Sequence, residues 1–230
     1  MGAPLQRLAS LLAWLACSLI VPTGLTAGES GFFAGGLGGI ATLSADASTS
    51  LAGPVPAAGA YKPENGPALN VFAGWHANGY LSFQGNFIRN TNDVALTDIL
   101  GTASFEQARR SSQDAFVGDA LLYFRNRSSW VRPYLSAGAG PVRIDSHAAA
   151  LRSTNGSLPL PPSEFSATLL AFRVAVGVDL LARNGWGFRY SFSETKSANP
   201  FGQHLAPSGQ RRLANFQNLF GIVKYFGHRS

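Results

Sequence analysis

From residue 31 onward, stretches of period-two hydrophobicity are joined by connections that are alternately long and short. Trp186, Phe188, Tyr190 and Phe192 alternate with Gly187, Arg189, Ser191 and Ser193. Leu170, Phe172, Val174, Val176, Val178 and Leu180 alternate in the same way with Ala171, Arg173, Ala175, Gly177 and Asp179. In Tyr80–Phe87, Leu81, Phe83 and Phe87 oppose Ser82, Gln84 and Asn86. Successive side chains of a strand point to opposite faces, so each of these segments is a strand with one apolar face. The pattern gives eight strands: Gly31–Leu43, Ala68–His76, Gly79–Arg89, Gln113–Phe124, Val131–Ile144, Glu164–Ala182, Trp186–Glu194 and Leu213–Phe226. Three connections are tight: Ala77-Asn78, Arg125–Trp130 and Arg183-Asn184-Gly185, the last holding a favoured Asn-Gly turn. The other four, near Ser44–Pro67, Asn90–Ser112, Asp145–Ser163 and Thr195–Arg212, have 16 or more residues each and are rich in Ser, Pro, Gly, Asn and Ala. An up-and-down barrel places all the long connections at one rim and all the short ones at the other.

What solvent such a barrel faces is decided by charge. Only 13% of the 230 residues are charged, against about 25% in soluble domains. A soluble eight-stranded barrel of lipocalin type would carry Lys and Glu on its outer face. Here the polar faces hold Ser, Asn, Gln, Gly and Ala, small groups that suit a narrow lumen filled by side chains. Long external loops, short periplasmic turns and strands of at least ~9–11 residues match a barrel crossing an outer membrane. Closure satisfies every backbone hydrogen bond, as hydrocarbon demands. Aromatics at strand ends (Phe32, Phe33, Trp75, Tyr80, Phe124, Trp130, Trp186, Tyr225 and Phe226) are expected to form interfacial girdles.

The export route lies at the start of the chain. Residues 1–27 read as a cleaved signal peptide: Arg7, then the apolar stretch Leu8–Val21, then Pro22 and Gly24 before Ala27. That stretch is shorter than the ~20 residues of a membrane-spanning helix. The barrel domain is then residues 28–230. The single cysteine, Cys17, falls within the signal, which removes disulfides, thiolate metal sites and cysteine nucleophiles from the mature chain. The net charge of +6 comes with no basic run longer than Arg109-Arg110 or Arg211-Arg212, so no nucleic-acid partner is expected.

Three segments resemble the OmpA-type small outer-membrane barrels, in the broad family of eight-stranded outer-membrane β-barrel proteins. They are Val131-Arg-Pro-Tyr-Leu-Ser-Ala-Gly-Ala-Gly-Pro141, Gly187-Phe-Arg-Tyr190 and the closing strand Asn218–Phe226. The resemblance covers residues 30–226. It departs from the family at the end, where Gly-His-Arg-Ser follows Phe226, and at Lys224, where an apolar residue is usual. It implies an all-β, eight-stranded antiparallel up-and-down transmembrane barrel with four long external loops and three short periplasmic turns. The implied partners are outer-membrane lipid and lipopolysaccharide, the barrel-insertion machinery, and an extracellular ligand met through the loops. A monomer is expected.

Eight strands leave no open aqueous channel, which disfavours a general porin. The lumen should instead hold a polar network of Arg173, Asp179, Arg189, Gln84, Asn86 and Asp119. With a three-residue loop at Arg183–Gly185, parity sets Asp179 directly opposite Arg189, both inward. An unpaired buried charge is strongly destabilising, so the two are expected to pair, the alternative being that both lie near the periplasmic rim and are solvated. Arg143 is of ambiguous direction, because Gly138, Gly140 and Pro141 invite a bulge.

Catalytic constellations are sparse. His76, His147, His204 and His228 show no metal-ligand spacing, and no Gly-x-Ser-x-Gly elbow occurs. No cofactor is expected; the glycines of Gly36-Leu-Gly38-Gly39 precede no helix and suit barrel curvature better than phosphate binding. The outer-membrane lipid A deacylases are also small barrels, with a His-x-Ser-Asn-like motif near the end of the seventh strand. The matching stretch Tyr190–Thr195 has Ser191 in place of that histidine, which leaves Ser193 without a base. The expected function is therefore a non-enzymatic barrel, structural or surface-interacting through its loops. The alternatives are a lipid-modifying hydrolase and a small-solute channel.

Overall fold

The computed structural model describes residues 31–44, 47–51, 57–63, 65–155, 163–201 and 212–226. The expected signal segment, His204 and His228 lie outside these. Ten strands run in chain order: β1 (Gly31–Ser44), β2 (Ala47–Leu51), β3 (Ala57–Pro63), β4 (Gly66–His76), β5 (Leu81–Leu100), β6 (Ala103–Tyr123), β7 (Val131–Asn155), β8 (Glu164–Leu181), β9 (Trp186–Ala198) and β10 (Arg212–Tyr225). Eight of them, β1 and β4–β10, form an antiparallel ring, closed by β1 on β10 and by β5 on β6.

The register sets the size of the ring. A circuit leaving Ala34 passes Ala73, Gly85, Gly118, Ala139, Phe172, Lys196 and Ala214, and returns to β1 at Ser44. The shear is therefore ten residues. An eight-stranded barrel of this kind is wide enough only for its own side chains. Inside and outside alternate along every strand. On β8, Leu170, Phe172, Val174 and Val176 are exposed, while Ala171, Arg173, Ala175 and Asp179 are buried.

The three short turns sit at one end with the start of β1 and the end of β10. Asn78 Oδ1 accepts bonds from the Tyr80 and Leu81 amides, each at 2.8 Å, a local arrangement that asparagine favours in turns. Asn184 and Gly185 both have φ of 72°, the left-handed conformation for which Asn-Gly is selected.

The described parts of the long connections are mostly strand. The β5–β6 hairpin continues in register through the stretch Asn90–Ser112 to Leu100↔Ala103, and β7 follows β6 outward to Asn155. Period two persists there with polar residues inside: Asn90, Asn92, Asp98, Gln107, Arg109 and Ser111 are all buried. An inner face that mixes these polar groups with Val94, Leu96 and Phe105 hides the strand signal from a reading based on apolar alternation. Within the stretch Ser44–Pro67, β2 and β3 form a hairpin that adds to the outer half of β5 through β3.

Two aromatics also differ from expectation. Phe33 and Tyr225 point into the lumen, at 1% and 3% exposure, while Phe32 and Phe226 face outward. Adjacent residues of a strand cannot share a face. Arg143 faces outward, and Lys224 reaches from the outer wall to the Asn184 carbonyl at 2.6 Å, over the Trp186 ring. Val176, register partner of Phe192, lies deeper in the apolar band than Val174, whose partner is Glu194. Val176→Arg should cost about 2–4 kcal/mol, the range for a cation at the bilayer midplane; urea titration of the barrel refolded in vesicles measures it.

Candidate functional site: the charged network of the lumen

Asp179 and Arg189 are register partners on β8 and β9, and their side chains are 0% and 1% exposed. Arg189 Nε donates to Asp179 Oδ1 at 2.5 Å and its Nη2 donates to Oδ2 at 2.7 Å. The parallel double contact is the strongest geometry available to a guanidinium and a carboxylate. Arg189 Nη1 then crosses the lumen to Gln84 Oε1 on β5, at 2.7 Å. Gln84 Nε2 donates to Asn86 Oδ1 at 2.6 Å, and Asn86 Nδ2 donates to Asp119 Oδ2 at 3.2 Å. Asp119 in turn accepts a bond from Arg173 Nη1. The six residues named for the lumen network thus form one continuous chain of contacts, including Asp119, whose parity the sequence left unclear, with each arginine beside an aspartate.

Several members were not singled out from the sequence. Tyr123 and Tyr225 both donate their hydroxyls to Asp179 Oδ2, the former at 3.0 Å. Arg189 also lies 4.6 Å from the Phe72 ring centre and 5.1 Å from that of Tyr134. Arg132, fully buried, stacks 3.8 Å over Tyr123 and donates to the Gly79 carbonyl at 3.2 Å. His76 stacks on Tyr225 and is in hydrogen-bond contact with Ser82. Parity held the signal for Tyr123, which shares a face with Asp119. It also held it for Tyr225, four residues from Gly221, the partner of Arg189.

Higher in the barrel a second polar layer ties opposite walls together. Asn215 Nδ2 on β10 donates to Gln113 Oε1 on β6 at 2.9 Å, and Gln217 Nε2 donates to Asn90 Oδ1 at 3.2 Å. The interior is not polar throughout, as the sequence had suggested. Leu43, Ile88, Val94, Leu96, Phe105, Ile144 and Leu213 belong to an apolar cluster that includes Phe201, whose ring meets Phe165 edge-on at 5.1 Å. Two concavities of about 710 Å³ lie on the outer wall over Ala73, Gly85 and Gly118, where small residues leave room between aromatic neighbours.

The seryl groups of the deacylase-like stretch point inward. Ser191 and Ser193 are buried, and Ser193 Oγ donates to Gln217 Oε1 at 3.1 Å. His147 is on the outside of β7, 3.5 Å from Glu164. Among the described residues no group of three or more His, Cys, Asp or Glu is placed to hold a metal ion.

The antiparallel ring agrees with what family comparison finds. Residues 9–210 match the model of the outer membrane protein β-barrel domain. The chain belongs to that family. No curated protein matches it. Among solved structures, Neisserial surface protein A aligns with a TM-score of 0.56 at 15% identity, over 86% of this chain and 99% of its own. The outer membrane protein OprG from Pseudomonas aeruginosa aligns with a TM-score of 0.50 at 14% identity, over 86% and 97%. At such identities the likeness is one of fold. As a member of this family the chain is a bacterial outer-membrane barrel.

Removing one partner of a buried ion pair leaves a charge uncompensated. Arg189→Met or Asp179→Leu alone should cost about 3–5 kcal/mol, and the double variant less than the sum of the two. Tyr225→Phe, which deletes one hydrogen bond to a carboxylate, should cost about 1.5–3 kcal/mol. Urea unfolding in detergent micelles or vesicles reads all four.

Proposed function

We propose that this outer-membrane barrel is a non-enzymatic scaffold with a closed lumen, acting through the wall and hairpins that extend beyond the external side. The observation that carries this reading is the pair of hydrogen bonds spanning the full ring. Arg189 to Gln84 joins β9 to β5, and Asn215 to Gln113 joins β10 to β6. Each joins strands four places apart in a ring of eight, so each crosses a diameter. A solute passing along the axis would have to break buried, charge-assisted bonds at one layer and amide bonds at the other.

The extension is built for presentation. β5, β6 and β7 carry on past the ring to Leu100, Ala103 and Asn155, and the β2–β3 hairpin joins them. Recognition groups mounted on a rigid scaffold lose little entropy when they bind. In this reading the protein is a monomer, inserted by the barrel-insertion machinery, with an extracellular ligand met at the extension.

A hydrolase would need an activated nucleophile open to lipid. The described serine–histidine contact, Ser82 with His76, lies inside the barrel near the periplasmic end, and both residues are 0% exposed. Ser193 is bonded to Gln217 rather than to a base. Planar-bilayer recordings of the refolded protein test the closed-lumen reading. The wild type should give no steady conductance steps, and neither should Arg189→Ala/Gln84→Ala, in which the Asn215–Gln113 layer still closes the lumen. Steady ion conductance by the wild type would sink it.

A further inference from the structure

The charges of the barrel are sorted by end. Among the described residues, the carboxylate nearest the end with the short turns is Asp179, two residues before β8 stops. Both its oxygens are spent on Arg189 and on the Tyr123 and Tyr225 hydroxyls. Cations reach further. Arg125 and Arg127 stand in the β6–β7 turn, and Arg132 is the second residue of β7.

Arg132 is 0% exposed. Its Nη2 donates to the Gly79 carbonyl, and its guanidinium lies over Tyr123. Nε and Nη1 are buried with no acceptor. Asp179 is its register partner, but Arg189 fills that carboxylate from the other side. His76 flanks the same tyrosine, with ring centres 5.8 Å apart. Its Nδ1 meets Ser82 Oγ, and its Nε2 is also buried without a partner. Assigning the Ser82 hydroxyl as donor to Nδ1 puts the ring proton on Nε2, which makes it a donor too. Buried donors are almost always satisfied, and a buried cation without a counter-charge is strongly destabilising. A water molecule would satisfy the donors but not the charge.

We infer that the short-turn end of the lumen binds a carboxylate, held by Arg132 Nε and Nη1 with His76 Nε2 beside them. An ionised carboxylate only accepts hydrogen bonds, which matches a site whose unpartnered atoms are donors. It brings one negative charge to one uncompensated positive charge, whereas a dianion would cost more to take out of water. The β6–β7 turn provides the way in. Arg127 lies against the start of β1, where a methyl group on Gly31 would meet its Nη2 at 2.8 Å, and Gly31 is the register partner of His76. Within that turn Ser129 N donates to Asn126 O at 3.2 Å and Ser128 Oγ to Asn126 Oδ1 at 2.6 Å. These bonds are internal, so lifting the turn as a unit does not break them. Arg125 and Arg127 draw an anion toward the mouth. With the hairpin extension on the external side, this end faces the periplasm, and the carboxylate belongs to a free small acid or to the end of a peptide. The chemistry of the site depends neither on that orientation nor on whether the lumen conducts.

The first readout is the urea midpoint of the refolded protein in dodecyl maltoside micelles. Sodium acetate, N-acetyl-alanine and sodium chloride are compared at one pH and ionic strength, with N-acetyl-alaninamide as the uncharged control. Both carboxylates should raise the wild-type midpoint to a plateau, and chloride and the amide should not. A larger effect of N-acetyl-alanine at equal concentration assigns the site to a peptide end, and an equal effect assigns it to a free acid. The second readout is the Arg132 Nε–H resonance, which should move downfield over the same range of carboxylate. Arg132→Met should lose the rise in midpoint, and Arg127→Gln should need several-fold more carboxylate to reach it. Should Arg132→Met not fold, the resonance of the wild type decides. A rise with chloride equal to that with acetate overturns the assignment, and so does an Arg132 resonance that neither carboxylate moves.

Discussion

Eight strands closed with a shear of ten leave a cylinder too narrow for water to fill and too wide to remain empty. Everything else in the molecule answers that constraint. The inward residues must fill the space and, in the membrane, must satisfy one another's polar groups without solvent. Asp179 and Arg189 do this most completely. The carboxylate takes the guanidinium on both oxygens and two tyrosine hydroxyls besides, so almost none of its hydrogen-bonding capacity is left over. Gln84, Asn86 and Asp119 then carry the polar chain across the barrel to Arg173.

The same constraint accounts for the charge-poor composition. A wall in hydrocarbon needs no charged residues, and the side chains along β8 show the division: Val174 and Val176 outside, Arg173 and Asp179 inside. The charges that do face outward collect where the hydrocarbon ends. The external extension obeys water again, with an apolar cluster under a polar exterior like that of a soluble sheet.

Much of the barrel could be read before any coordinates. A side-chain period of two and a three-residue turn suffice to place Asp179 opposite Arg189, because parity is local and passes intact through a tight turn. The contacts across the lumen were out of reach. That Gln84 meets Arg189 depends on the shear, which accumulates over every strand pair and cannot be inferred across long connections. Tyr225 was assigned to the interfacial girdle because aromatics near strand ends usually sit there; its parity with Gly221 placed it inside. The outer parts of β5, β6 and β7 were missed for another reason. With Asn90, Asn92, Arg109 and Ser111 on the inner face beside Val94, Leu96 and Phe105, the inner face is mixed and the alternation carries little hydropathy contrast.

Tyr225 belongs to the last strand of the ring, and Asp179 to a strand made much earlier by the ribosome. Their bond cannot form until β10 has paired with β9. A precursor lacking that strand would hold its central ion pair short of one hydroxyl and partly wetted. Docking the last strand therefore completes the bonds to the buried carboxylate and takes it out of water in one event.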